Sequence, residues 1–175
     1  MKKLLLVLML SFLSAELCCQ TENVHAGIRE TYDYSIKSFN SSGVVLSSLK
    51  EGISAESIIG NRYFFNSVIS DIDVTVQQAR KAAEFASSVK SAVADLNCPI
   101  ADTAAAAAEM NYNNALNAFT EAGSQIIKAS ESKEPASAKE FLEKAKKYVL
   151  EGLQSLDNGT AEHKKMAAAL SECDY

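Results

Sequence analysis

Downstream of residue 60 the apolar residues fall in a rhythm of fours and threes. Phe65, Ile69, Ile72, Val76, Ala79, Ala83 and Ala86 follow one another in this way, and the stripe resumes at Val93 and Leu96. Such spacing lines one face of an α-helix. Ser54 stands where an N-cap would, with Ile53 and Ile58 placed to staple around it. The pattern predicts one long helix from about Ala55 to Asn97, bent near Gly60-Asn61.

The rhythm returns between the two prolines, Pro99 and Pro135. Cys98, Ala101, Ala105, Ala108, Tyr112, Ala115, Phe119, Ala122, Ile126 and Ala129 alternate three and four throughout. The alanine run 104–108 reads as a closely packed helix segment, since alanine is the best helix former. Ser130 to Ser137 forms a turn. Ser137 and Glu140 have the spacing of a capping box, and Leu142, Ala145, Val149, Leu153 and Leu156 carry the next stripe. Asp157-Asn158-Gly159-Thr160 is expected to break or kink that helix, with Thr160 capping a last one that holds His163, Met166, Leu170 and Cys173.

The amino-terminal part is less regular. Ile28, Tyr32, Ile36 and Phe39 predict a short helix ending at Asn40-Ser41-Ser42-Gly43, and Val44 to Leu49 a second, ended by Gly52. No segment reads as a strand. The expected fold is all-α: an elongated antiparallel three- to four-helix bundle with short N-terminal helices and one disulfide.

Before residue 21 the pattern is of another kind. Lys2 and Lys3 precede an apolar run, Leu4 to Leu13, that is too short to span a bilayer. Residues 1–20 therefore read as a cleavable signal peptide, with Ala15, Cys18, Cys19 and Gln20 as candidate last residues, and 21–175 as a single domain. Lipidation at Cys18 is the alternative, although Glu16 and Leu17 suit a lipobox poorly. No later run is apolar enough to cross a membrane.

Of the four cysteines, adjacent Cys18 and Cys19 leave with the signal peptide on this reading. Cys98 and Cys173 remain as a pair in an oxidising compartment. Free thiols or a bridge between chains are the alternatives to their joining, which geometry favours. Residues 98–130 and 137–173 make helical arms of about 48 and 54 Å at ~1.5 Å per residue, so a hairpin through Pro135 returns Cys173 to the level of Cys98. The sequons Asn40-Ser41-Ser42 and Asn158-Gly159-Thr160 offer glycosylation at Asn40 and Asn158 and suit a secreted protein.

The whole chain carries a net charge of −5. Removing Lys2, Lys3 and Glu16 leaves 15 basic and 21 acidic residues, dispersed along the sequence. That balance argues against nucleic-acid binding and against a basic patch for anionic lipid. Catalysis finds little support either. There are two histidines, His25 near the start of the mature chain and His163 on an inner stripe, where a packed imidazole is the usual case. Nucleophile elbows, phosphate loops and paired-cysteine metal patterns are missing. Asp71 and Asp73 point to different faces, while Asp102 and Glu109 lie two turns apart, so neither pair has the geometry of a carboxylate dyad or a cation site. In the charged run Lys139 to Lys147, Glu140–Lys144 and Glu143–Lys147 read as surface i,i+4 pairs. No enzyme activity, cofactor or metal is expected.

Aromatic residues cluster early. Tyr32, Tyr34, Phe39, Tyr63, Phe64 and Phe65 precede the alanine-rich helices, and packing of large side chains against a narrow core accounts for most of them. The functional counterpart is an apolar ligand rim at Tyr63-Phe64-Phe65. In general class, and in the phrase Ala168-Ala169-Leu170-Ser171-Glu172-Cys173, the chain resembles the plant invertase and pectin methylesterase inhibitors. It departs from them in its adjacent early cysteines and long later gap, so no family site is carried over. The expected role is that of a secreted interaction protein of inhibitor, effector or allergen-like type, whose partner is an extracellular protein. The alternative is a carrier of a small apolar ligand.

Overall fold

A computed structural model describes the backbone of residues 2–173 and the side chains of residues 22–173. The expected signal segment, with Cys18 and Cys19, lies outside the described side chains. Four helices make up the fold: α1 (Lys2–Ser54), α2 (Arg62–Ala94), α3 (Pro99–Glu131) and α4 (Pro135–Glu172). Short turns join them, so neighbours run antiparallel. α1 packs on α2 and α4, and α3 packs on the same two from the opposite corner. α3, with 33 residues at ~1.5 Å each, is about 50 Å long and sets the length over which it packs on its neighbours in this four-helix rod. The all-α bundle and its disulfide are as the sequence pattern predicts.

The helix boundaries near the amino terminus differ from expectation. α1 runs unbroken through Asn40-Ser41-Ser42-Gly43 and through Gly52, replacing the two short helices. The hydroxyls of Ser41 and Ser42 donate to the Ser38 carbonyl at 3.1 and 2.6 Å, which keeps them from diverting the backbone. Ser54 does not begin a helix. It ends α1, and its hydroxyl donates to the Lys50 carbonyl at 2.6 Å. The bend expected at Gly60-Asn61 is a full break: Gly60 has φ +77°, open to glycine at little cost, and Asn61 caps α2 by accepting the Phe64 N–H at 3.1 Å. Ile58, buried in this connection, plugs the end of the core.

α3 matches the periodicity almost residue for residue. Pro99 and Pro135 each occupy the first helical position, where a missing N–H costs nothing. The capping box at Ser137 is not made, because α4 already starts at Pro135 after Glu134. α4 also passes straight through Asp157-Asn158-Gly159-Thr160. Gly159 is buried there, with its missing side chain filled by the ring of Tyr112. Gly152 stands in the same relation to Phe119. Large rings from α3 thus fit against glycines of α4, and the two helices approach closely.

Two apolar clusters share the interior. The larger includes Leu49, Phe65, Ile72, Phe119, Ile126, Leu142 and Val149 and fills the end that holds the 55–61 and 132–134 turns. The smaller gathers Val24, Val89, Val93, Leu96, Met166 and Leu170 around the disulfide end. The Cys98–Cys173 bridge closes that end, its Cα atoms 6.2 Å apart.

Candidate functional site

Of the buried polar residues, four lie on α1, and α2, α3 and α4 carry one each, Thr75, Gln125 and His163. α1 turns Val24, Ile28, Thr31, Ser35, Ser38, Ser42, Val45 and Leu49 toward its neighbours, in steps of four and three. Four successive positions of that series carry hydroxyls, all buried. Thr31 donates to its own helix at the Gly27 carbonyl (2.8 Å), and Ser38 donates across to the Thr75 carbonyl of α2 (3.3 Å). Thr75 in turn bonds the Ser41 hydroxyl at 2.9 Å and the Asp71 carbonyl at 3.0 Å.

His163 is the buried polar residue of α4 and packs against Tyr112 of α3. It is 1 % exposed, and its ring lies 5.3 Å from that of Tyr112, tilted by 44°. Neither Nδ1 nor Nε2 has a hydrogen-bond partner. Burial alone pushes the imidazole down from its usual value to about 4, so it is neutral at pH 7. The Tyr112 hydroxyl meets Thr160 Oγ1 at 3.3 Å and also reaches Ser35 of α1. Burial, the larger influence, raises its pKa. Ser35, Tyr112 and Thr160, from three helices, therefore share one set of hydroxyl contacts, with His163 against the Tyr112 ring. The group lacks the hydrogen-bonded nucleophile–base pair that covalent catalysis requires.

His25 is exposed on α1 and far along the chain from His163. No cluster of metal-ligating side chains occurs among the described residues. Asp71, Asp73 and Asp102 remain apart. Glu109 proves more than a solvated carboxylate, since it accepts from Lys90 of α2 at 2.6 Å. That hydrogen bond, the first cause, holds its carboxyl below the ordinary range, and a bond from Ser87 adds to it. Glu140–Lys144 pairs at 2.7 Å as expected. Glu143 instead takes Lys146 at 3.2 Å, and Lys147 reaches Glu151 at 3.6 Å.

The three candidate rim residues face three directions. Tyr63 is 92 % exposed. Phe64 lies over Gly52, and Phe65, only 4 % exposed, enters the core. Of the three, Phe65 borders a surface groove of about 380 Å³ with Gly60, Arg62, Asn66, Ile69 and Ser130. Asn40 and Asn158, the sequon asparagines, are both exposed on helices, and Asn158 accepts from Gln154 at 3.1 Å.

A feature that periodicity alone does not single out lies on the outer side of α3. Ile100 and Met110 are 71 % and 59 % exposed, and with Thr103 and Ala107 they follow the spacing i, i+3, i+7, i+10. Pro99, Ile100, Thr103, Ala104 and Ala107 line a groove of about 450 Å³ whose far edge is Glu162 and Lys165 of α4. The signal is present in the sequence, since Ile100 and Met110 lie off the inner stripe. Among the described residues no helix is long and apolar enough to cross a membrane. No family model, curated protein or solved structure matches this chain.

Proposed function

We propose that the protein is a secreted, non-catalytic helical bundle that acts by offering an outer helical face to another extracellular protein, as an inhibitor, effector or allergen-like molecule does. The observation that carries this reading is the apolar stripe Ile100–Thr103–Ala107–Met110. Large apolar side chains held outward at helical spacing are what a partner's surface buries, and the charged Glu162–Lys165 pair beside them supplies a polar rim. The stripe begins beside the disulfide, at Ile100, two residues from Cys98, on a helix whose order lowers the cost of binding.

A carrier of a small apolar ligand is the second reading, and the groove beside Phe65 is its place. Native mass spectrometry of the protein from its natural source separates the two. A stoichiometric protein complex that is lost in the variant I100E/M110E supports the interaction reading. A lipid-sized mass travelling with an otherwise free chain overturns it in favour of the carrier.

A further inference from the structure

Three features of α1 set it apart from the rest of the bundle. The first is its inner face. Where α2, α3 and α4 each bury a single polar residue, Thr75, Gln125 and His163, α1 buries four in succession, Thr31, Ser35, Ser38 and Ser42, between the apolar Val24 and Val45. Thr31 and Ser42 already donate to carbonyls of α1 itself. Exposing this middle stretch to water leaves few orphaned hydroxyls.

The second is its fastening. The disulfide ties the α2–α3 junction to the end of α4, and the Lys90–Glu109 pair ties α2 to α3. Among the described residues α1 has no ion pair to another helix; Lys37–Asp33 lies within it. It is held by the Tyr34–Phe85 stack, by the hydroxyl bonds to Thr75 and Tyr112, and by the packing of Val24, Val45 and Leu49. It packs more extensively on α2 than on α4. The 55–61 connection, with Gly60 in the left-handed region, joins it to the remainder.

The third is its link, through Tyr112, to a buried histidine. His163 is buried with both nitrogens unpartnered, in contact with the Tyr112 ring whose hydroxyl reaches Ser35 of α1. A neutral imidazole tolerates this place, but an imidazolium does not, since a buried charge needs a counter-charge or water. None is at hand. From α3 the titratable group facing it is Tyr112, and from α1 Tyr32 approaches the same hydroxyl. The Lys90–Glu109 pair of α2 and α3 and the Glu162–Lys165 pair of α4 are engaged with each other and partly exposed.

We propose that α1 is an acid-released latch: protonation of His163 lifts it from the disulfide-clamped trio of α2, α3 and α4. Lifting admits water to the imidazole and uncovers the inner faces that carry Tyr112 and Phe119. The event is a local opening of the least apolar seam, with the other three helices kept together by the bridge. It does not depend on the partner reading above.

Hydrogen exchange followed by mass spectrometry on the full, oxidised chain tests this, with rates corrected for intrinsic exchange at each pH. The expected result is that peptides from residues 24–52 lose protection as pH falls from about 6.5 to 4. Their opening equilibrium should rise by roughly 80-fold over that range, as the gap between an ordinary histidine and one titrating at about 4 requires. Peptides from residues 99–131 and 135–172 should keep theirs. In H163Q the rise in the α1 peptides should vanish. Simultaneous loss in all four helices, or an undiminished rise in H163Q, overturns the proposal. An NMR titration of the wild-type imidazole tests the same coupling without a variant. A His163 midpoint well below 6.5 that coincides with shifts in α1 resonances supports the latch, and a midpoint near 6.5 with α1 unchanged overturns it.

Discussion

The ring of Tyr112 on α3 lies where Gly159 on α4 would carry a side chain, its nearest atoms 3.0–3.2 Å from that Cβ position. Phe119 sits closer still to Gly152, at 2.5–2.8 Å. These two pairs make a graded test of the α3–α4 fit. G152A is expected to destabilise by about 2 kcal/mol, because a buried ring must move. G159A should fall within about 1 kcal/mol of wild type, since relief of tight contact and the helix preference of alanine oppose each other. Gly43, with nothing near its Cβ position, is the control: G43A should stabilise by about 0.5–1 kcal/mol. Urea unfolding monitored by circular dichroism ranks the three, and a G152A as stable as G43A would refute the packing account.

His163 gives stability a defined dependence on pH. The unfolded imidazole takes a proton near 6.5, whereas the folded one resists until about 4. Its contribution is therefore complete above pH 6.5, is lost as pH falls, and reaches a deficit of about 3 kcal/mol below 4. H163M removes the unpartnered nitrogens at similar volume. It should equal or exceed wild type at pH 7, by up to about 1–2 kcal/mol, and the difference should widen between pH 6.5 and 4. Parallel stability curves for the two proteins would show that the imidazole is not neutral in the fold.

The bridge between Cys98 and Cys173 spans 75 residues of sequence. Closing so long a loop stabilises by ~4 kcal/mol in the chain-entropy treatment, with measured losses of about 2–5 kcal/mol on removal. C98S/C173S should unfold at lower urea by that margin while keeping its helical spectrum. A double variant with unchanged midpoint would mean that the arms are already held by packing alone.

Asn40 and Asn158 both stand on the outside of the rod. Secretion from a eukaryotic host is expected to add a glycan at each. Peptide N-glycosidase should then remove two mass steps from wild type and one from N40Q or N158Q. A chain secreted at its bare mass would count against both sites.

The parts of the fold that are readable in the sequence are those whose apolar stripe is continuous and bounded by proline. α3 and the meeting of Cys98 with Cys173 follow from that alone. α1 escapes such a reading because its inner face keeps the helical interval while changing chemistry. The series from Val24 to Leu49 is unbroken in spacing, but Thr31, Ser35, Ser38 and Ser42 hide it from a search for apolar residues. Asn40-Ser41-Ser42-Gly43 and Asp157-Asn158-Gly159-Thr160 look like punctuation in sequence. In the folded chain Ser41 and Ser42 bond back along the helix, and Gly159 yields room to Tyr112. The buried group around His163 is half legible. Its inner position follows from periodicity, whereas its company of Ser35, Tyr112 and Thr160 depends on how three helices face one another.

The turn between α3 and α4 leaves Lys133 exposed inside the segment that the sulfurs enclose. A trypsin-like cut there would sever the backbone without parting the pieces. The nicked molecule would run at full mass on a non-reducing gel and split in two once reduced. Damage at that corner would then go unnoticed until the protein met a reductant.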